Sequence, residues 1–470
     1  MQDAATKRYL PWVVATVLFM EQLDSTIVNT GIPAMAASLG VTPLSLKAVV
    51  TSYTLSLAVC IPLSGWLADR YGSRRVFLWA LTLFTLSSMI CGLAQSASLL
   101  VAARVPQGIA AAMMMPVGRM AIVRTFAKGE LLVAMNFVII PALLGPLLGP
   151  TVGGLIVHFA SWREMFFVNL PVGLAAWWFG HRHMPDYHGE TARPLDLRGF
   201  LLFGSGAGLL SWLLEIFGEH DLKSGTMLAL LLVALSLFLA YGLHARRLPH
   251  PLLRLQLFRA RTFRVAVLGG FVTRLGVGGM PLLLPLLFQL GLGLPAWQSG
   301  LLMMPAAAAA MVMKVVSTAL LRRFGYRRVL IVNTLLVALI MAGFSLITSA
   351  TPIVVIVAMG LTMGLANSLQ FSSMNTMAYA DIADNEVSMA STLASTLQQM
   401  SLSFGLACGS LVTAYYLAEL PQSNPAAVLG ALHSAFLTLA VMTAISSLSF
   451  WSLRAGDGEN ISRADGADEK

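Results

Sequence analysis

Gly65-Trp66-Leu67-Ala68-Asp69-Arg70-Tyr71-Gly72-Ser73-Arg74-Arg75-Val76 is a short charged turn between two long apolar runs, residues 48–67 and 76–94. Each run is close to the ~20 residues a helix needs to cross a hydrocarbon core, where backbone polar groups must be satisfied within the segment. The turn reads as the link between two membrane helices, with Gly72 letting it close tightly. A second turn of the same kind follows later, Arg322-Arg323-Phe324-Gly325-Tyr326-Arg327-Arg328-Val329. Matching its glycine to Gly72 gives a spacing of 253 residues (325 − 72). That spacing also carries the apolar run near Leu10 onto one starting at Phe263, and the run near Ser98 onto one near Pro352. A helical bundle is present twice, a plan on which many secondary transporters are built.

Composition extends this reading to the whole chain. Of 470 residues, 57% are apolar and 11% charged; soluble domains run near ~45–50% and ~25%. Too little polar side chain exists to cover a water-facing surface, which excludes a soluble enzyme, a disordered chain and a nucleic-acid binder. Fourteen apolar stretches begin near Leu10, Lys47, Val76, Ser98, Leu131, Glu164, Gly199, Thr226, Phe263, Ala296, Arg328, Pro352, Ser391 and Ala426. The expected architecture is an all-α integral membrane fold. Two pseudo-symmetric six-helix bundles, 1–181 and 263–453, flank a loop and two-helix insert, 182–262, and a cytoplasmic tail follows at 454–470. With the N-terminus inside, 24 of the 30 Lys and Arg residues fall on cytoplasmic tails and loops. The net charge of +9 is then membrane topology, and both termini are expected in the cytoplasm. Cys60, Cys91 and Cys408 sit in apolar runs and read as small buried hydrophobes. No nucleophile–base pair, metal-ligand cluster or phosphate-binding GxxxxGK[ST] loop occurs, so no enzyme activity, catalytic residue, metal or cofactor is expected.

Charges inside membrane spans are expensive and mark function by default. Glu21 and Asp24, three residues apart, share one face of the first span. Both stand near the bilayer middle, and a dehydrated carboxyl favours its neutral form, so either can load and unload a proton. Arg104 in the fourth span can pair with Asp24. A pair that makes and breaks would couple protons to a conformational cycle, whereas a permanent pair would only fix helix packing. Arg274 lies 253 residues after Glu21, and two roles stay open for it: a salt bridge to Glu21, or a contact with an anionic substrate. Asn29, Gln107, Gln370 and Asn375 are polar groups in spans and, with Arg274, candidate cargo contacts. In the turn after the second span, Gly65 would allow close helix approach. Asp69 would cap the next helix while meeting Arg74 or Arg75, and with Arg70 and Gly72 the cluster would form an inner gate. Arg322 stands where the repeat would have Asp69.

These motifs resemble those of one family. GxxxDRxGxRR, from Gly65 to Arg75, is similar to the signature loop of the major facilitator superfamily. The fifth span carries Gly145-x-x-x-Gly149-Pro150-x-x-Gly153-Gly154, which resembles that superfamily's antiporter motif, and Leu100-x-x-x-Arg104-x-x-Gln107-Gly108 resembles another. Leu23-Asp24-Ser-Thr-Ile-Val-Asn29-Thr-Gly-Ile-Pro33 is close to the pattern of the fourteen-span drug:proton antiporters. The resemblance implies a monomeric multidrug exporter of the bacterial inner membrane. Its partners would be small-molecule substrates, protons and the lipid bilayer, with alternating access and no nucleic acid. A proton-coupled transporter of small organic anions or their metal complexes, and a non-transporting membrane sensor, remain as alternatives.

Overall fold

The computed structural model describes residues 2–189, 194–216, 224–249, 251–383, 386–417, 424–454 and 456–458. The sequence readings of Arg193, Lys223, Arg463 and Lys470, and of most of the tail, lie outside these residues. The helices are α1 (Gln2–Leu39), α2 (Lys47–Tyr71), α3 (Ser73–Gly92), α4 (Ala97–Thr125) and α5 (Lys128–Phe159). α6 is broken at Val168 into Glu164–Phe167 and Asn169–His183, and α7 (Leu197–Ile216) and α8 (Ser224–Arg247) follow. α9 (Arg261–Gly291) contains π-helical turns at Val265–Gly269 and Leu287–Gly291. The remainder are α10 (Ala296–Phe324), α11 (Tyr326–Phe344), α12 (Ile353–Met377), α13 (Val387–Leu417) and α14 (Pro425–Phe450).

Twelve helices among the described residues are long and apolar enough to cross a membrane. The other two of the fourteen are α1 and α6. α1 runs for 38 residues but carries Glu21, Asp24 and Asn29, and α6 is interrupted. The spans carry greasy outward faces: Leu228, Leu232, Leu235, Leu239 and Leu243 on α8 are all half or more exposed. Such a face is unstable in water and at home in lipid.

The chain divides into two compact units. One comprises Met1–Leu197 with Pro295–Leu301; the other comprises Arg198–Leu294 with Leu302–Lys470. The inserted helices α7 and α8 fall in the second unit. Phe203 of α7 meets Phe238 and Tyr241 of α8, and the Tyr241 hydroxyl donates to the Leu253 carbonyl at 3.0 Å. The duplication is visible in the backbone of each unit separately. Ser73 and Tyr326 begin helices 253 residues apart, and the glycines before them, Gly72 and Gly325, both turn with positive φ, +91° and +74°.

Within the first unit α5 lies against α1 along a stripe of glycines four residues apart. A Cβ added at Gly145 would stand 2.6 Å from Gln22 Cβ and 2.8 Å from the Leu23 nitrogen. At Gly149 it would strike Thr26 Oγ1, and at Gly153 it would reach the Ile27 carbonyl at 2.5 Å. Without side chains between them the two backbones touch, and dispersion and close packing hold helices that have no hydrophobic effect to drive them together in lipid. The next face of α5 takes part too: Thr151 donates to the Gly300 carbonyl at 3.2 Å, and Cβ atoms at Gly154 or Gly300 would strike the Ala296 and Pro150 carbonyls. Gly65 does not behave as its sequence suggests. It is exposed and nothing stands within 4 Å of an added Cβ, so it makes no close helix approach here. We expect Gly145→Ala to destabilise the protein by about 1–3 kcal/mol through overpacking, seen as a lower melting midpoint in detergent, while Gly65→Ala leaves the midpoint unchanged or slightly raised.

Candidate functional site

The first unit holds a buried ionic network drawn from five helices. Arg104 and Asp24 are both fully excluded from solvent, and Arg104 Nη1 donates to Asp24 Oδ2 at 2.5 Å. The same nitrogen donates to Gln107 Oε1 at 2.7 Å, while Arg104 Nε reaches the Val49 carbonyl of α2 at 3.1 Å. Gln107 Nε2 turns back to Asp24 Oδ1 (3.1 Å) and Ser88 Oγ (2.7 Å). Asn169, at the break in α6, donates to Asp24 Oδ1 at 2.7 Å and to Ser88 Oγ at 3.0 Å. The guanidinium lies 4.2 Å above the Tyr53 ring. Gly108, one residue past Gln107, leaves no room for a side chain against the Tyr53 carbonyl and so lets α2 approach. Asp24 thus has one cation and two amides on it, which is what a charge removed from water requires.

Glu21, one helical turn earlier on α1, is treated differently. It is equally buried at 4% exposure, yet its Oε2 has no hydrogen-bond partner among the described residues. The charges that act on it are Arg119 of α4 and Asp24, and Tyr53 lies within electrostatic reach of both carboxyls. The Tyr53 hydroxyl and the Asn29 Oδ1 are also buried without partners.

At the end of α2 the charged turn is built otherwise than its sequence suggests. Asp69 meets Arg124 at 3.5 Å rather than Arg74 or Arg75, and it does not cap α3. The segment 184–189 after α6 takes that role. Asp186 Oδ1 accepts the Arg74 backbone N–H at 3.2 Å, the Ser73 N–H donates to the Tyr187 carbonyl at 2.9 Å, and Gly189 N–H reaches the Asp69 carbonyl at 3.1 Å. Arg74 also donates to the His181 carbonyl, and Arg124 to that of His188 at 3.1 Å. Gly72 is required on two counts, its positive φ and the Asp186 carboxylate that a Cβ would strike. Arg70 and Arg75 are exposed.

In the second unit Arg274 of α9 is 4% exposed, with Gln398 Oε1 at 3.4 Å and the Phe371 ring 4.8 Å below it. Gln370 is not free to meet cargo. It accepts from Asn333 Nδ2 at 2.9 Å and donates to Thr334 Oγ1 at 2.7 Å, tying α12 to α11. Asn375 is exposed.

The Major Facilitator Superfamily model matches residues 14–406. The chain belongs to the major facilitator superfamily. A multidrug resistance protein MdtD of Pectobacterium carotovorum subsp. carotovorum (strain PC1) is 39% identical over 458 residues, covering 96% of each chain. The MdtD of Serratia proteamaculans (strain 568) is 37% identical over 455 residues, 96% of this chain and 94% of that one. Among solved structures, a bacterial homologue of the human lysosomal transporter Spinster superimposes with TM-score 0.70 at 13% identity, covering 95% and 96% of the chains. A D-xylose–proton symporter gives 0.68 at 15%, covering 95% and 98%. These two confirm the fold, and the family makes the chain a multi-pass membrane transporter of small molecules rather than an enzyme.

Against that family background, Asp24, Arg104 and Gln107 stand together, and the α5 glycines press on the segment of α1 that carries Glu21 and Asp24. Sequence reasoning missed Ser88, Asn169 and Tyr53. The signal for Asn169 was present: an amide in Phe166-Phe167-Val168-Asn169-Leu170 is costly in lipid unless something receives it. Gln107 is a ligand of Asp24, not an open group facing cargo. Because removing one member of a buried ion pair strands the other, Arg104→Gln should cost about 3–5 kcal/mol. The double variant Asp24→Asn/Arg104→Gln should be more stable than Arg104→Gln alone, as read from melting midpoints of the purified proteins.

Proposed function

We propose that the chain is a proton-driven exporter of small organic molecules, of the multidrug kind named in its MdtD relatives. It resides in the bacterial inner membrane as a monomer with both termini in the cytoplasm. Two bundles, 1–181 and 263–453, alternate access, the insert 182–262 stands beside the pathway, the tail 454–470 lies in the cytoplasm, and no nucleic acid is a partner. The 24 inner-side cations support the orientation.

The proton-coupling assignment rests on Glu21. Two carboxyls lie a turn apart on one buried helix face, and only one of them is fully paired. A proton arriving at Asp24 must displace a guanidinium or an amide. At Glu21 it meets an oxygen that no donor holds among the described residues. The division of labour is then that Glu21 carries the proton, while the Arg104–Asp24–Gln107–Asn169 network fixes the frame and supplies a negative charge beside it. With Glu21 ionised, two like charges share a low-dielectric face, a state that favours hydration of the site. Protonation removes that repulsion and lets the face close dry. A cycle that takes the proton from outside and releases it inside gains about 2.3 kcal/mol per 100 mV, enough to sustain roughly a fiftyfold cargo gradient. The glycine stripe of α5 supports the same reading, since a backbone-to-backbone contact can slide with little side-chain rearrangement.

Glu21→Gln mimics the protonated form permanently. In inverted vesicles energised by a pH gradient, cargo addition to the wild-type protein should dissipate the gradient, read by quenching of a pH-sensitive dye. The variant should bind cargo with unchanged affinity yet release no gradient. Undiminished gradient dissipation by Glu21→Gln would remove Glu21 from the coupling role.

A further inference from the structure

Among the described residues Arg104 and Arg274 are the two buried arginines of the spans, and their surroundings differ. Arg104 has a carboxylate, an amide oxygen and a backbone carbonyl as acceptors, and only its Nη2 is buried without a partner among the described residues. Arg274 has one acceptor, the neutral Gln398 Oε1 at 3.4 Å, near the limit for a hydrogen bond, and its buried Nε has none among the described residues. Among the described residues no carboxylate of its own unit answers it. The described acidic side chains there are occupied elsewhere: Asp381 by Thr262 (2.9 Å), Glu386 by Arg254 (2.9 Å) and Asp457 by Arg261 (2.5 Å). A guanidinium does not shed its proton, so a dehydrated one needs a counter-ion. Arg274 stands 13 residues into α9 from Arg261, about 20 Å along a helix at ~1.5 Å per residue. That depth, inside a ~30 Å hydrocarbon core, is out of reach of lipid headgroups. The fork is nevertheless held in place, with the Phe371 ring against it and Gly270 leaving space where a Cβ would come 2.8 Å from Nη1.

We infer that Arg274, with Gln398, forms an oxyanion site in the second unit that takes a carboxylate or phosphate group of the transported molecule. Planar guanidinium donors match two oxygens of such a group, and Phe371 accommodates the carbon frame beside it. Identification of the anion as cargo rests on the exporter reading above; binding itself does not, and it is measured without any proton gradient.

The test is isothermal titration calorimetry on the purified full-length protein in detergent, with succinate, inorganic phosphate and tetraphenylphosphonium as three separate probes. Wild-type protein should bind succinate or phosphate, and the tighter of the two identifies the group. Arg274→Gln should weaken that binding about tenfold or more, with Arg274→Lys intermediate, and should not weaken tetraphenylphosphonium. Gln398→Glu places a carboxylate where the anion would sit. It should raise the melting midpoint and abolish anion binding, a result expected even where Arg274→Gln fails to fold. The inference is overturned by any of three results: no binding of succinate or phosphate to wild type at millimolar concentration, equal weakening of all bound probes by Arg274→Gln, or anion binding intact in Gln398→Glu.

Discussion

A charge inside the hydrocarbon layer must be answered by another, and the first unit is arranged around that requirement. Arg104 and Asp24 are both wholly dehydrated, a state that neither could occupy alone. Their pairing fixes where α4 sits against α1. The remaining lone pairs and N–H groups then recruit Val49 of α2, Ser88 of α3 and Asn169 of α6. Even the break in α6 fits this account, since the helix resumes at the residue whose amide Asp24 needs. The same constraint explains why Glu21 is conspicuous. Asp24 and Arg104 answer each other directly, whereas Glu21 Oε2 has no hydrogen-bond partner among the described residues.

Such a network demands that helices approach closely enough for short polar side chains to span the gap, and glycine supplies the approach. Gly108 brings α2 onto α4, and Gly145, Gly149 and Gly153 bring α5 onto α1. The second unit solves the equivalent crossing with glycines from both partners. A Cβ at Gly409 would stand 2.8 Å from Gly279 Cα, and one at Gly405 would stand 3.0 Å from Gly278 Cα. In each unit the crossing lies beside the helix that carries the unusual charge, Glu21 in α1 and Arg274 in α9. Those two residues are 253 positions apart. The duplicated halves therefore keep the packing of this crossing and invert the sign of the charge it holds. The two proposed ligands, a proton at one and an oxyanion at the other, follow that inversion of charge.

The fold was largely legible in the sequence because membrane spans are written in long, one-sided composition, and twelve of the starts predicted fall within a few residues of the helices found. α1 is the largest departure, beginning at Gln2 rather than near Leu10, since a helix needs no apolar residues once it leaves the lipid. The Asp24–Arg104 pair was legible too, because two opposite charges in apolar runs have few other places to go. What the sequence could not reveal was the choice among chemically equal partners. Asp69 has arginines at 70, 74, 75 and 124 within reach of a plausible turn, and only the path of segment 184–189 decides for Arg124. Gln370 likewise reads as a cavity-facing amide until Asn333 and Thr334, on a different helix, are seen to hold it.

The inner rim of the second unit shows how a degenerate repeat is held in place. Arg322 replaces the acid that the turn of the first half carries at 69, so the basic cluster there lacks a built-in counter-charge. The described acids of this unit serve neighbouring elements instead: Asp381 accepts from Thr262, Glu386 of the α12–α13 connection pairs with Arg254, and Asp457, from the chain after α14, pairs with Arg261. Asp457 receives Arg261 at the start of α9 and also the Arg454 backbone N–H at 2.8 Å. Gly458 then packs on Tyr326, the first residue of α11. The first half closes its rim the same way, through segment 184–189 laid over the turn. Each unit thus secures its charged turn with a piece of chain that follows its last helix. These contacts lie near the water interface, where ion pairs are weak and screened, so they can exchange during a cycle. In the proposed cycle the dehydrated pair at the bundle centre, held by two amides, stays closed. Rigidity in the middle and exchangeable charge at the rim is the distribution that a rocking bundle needs.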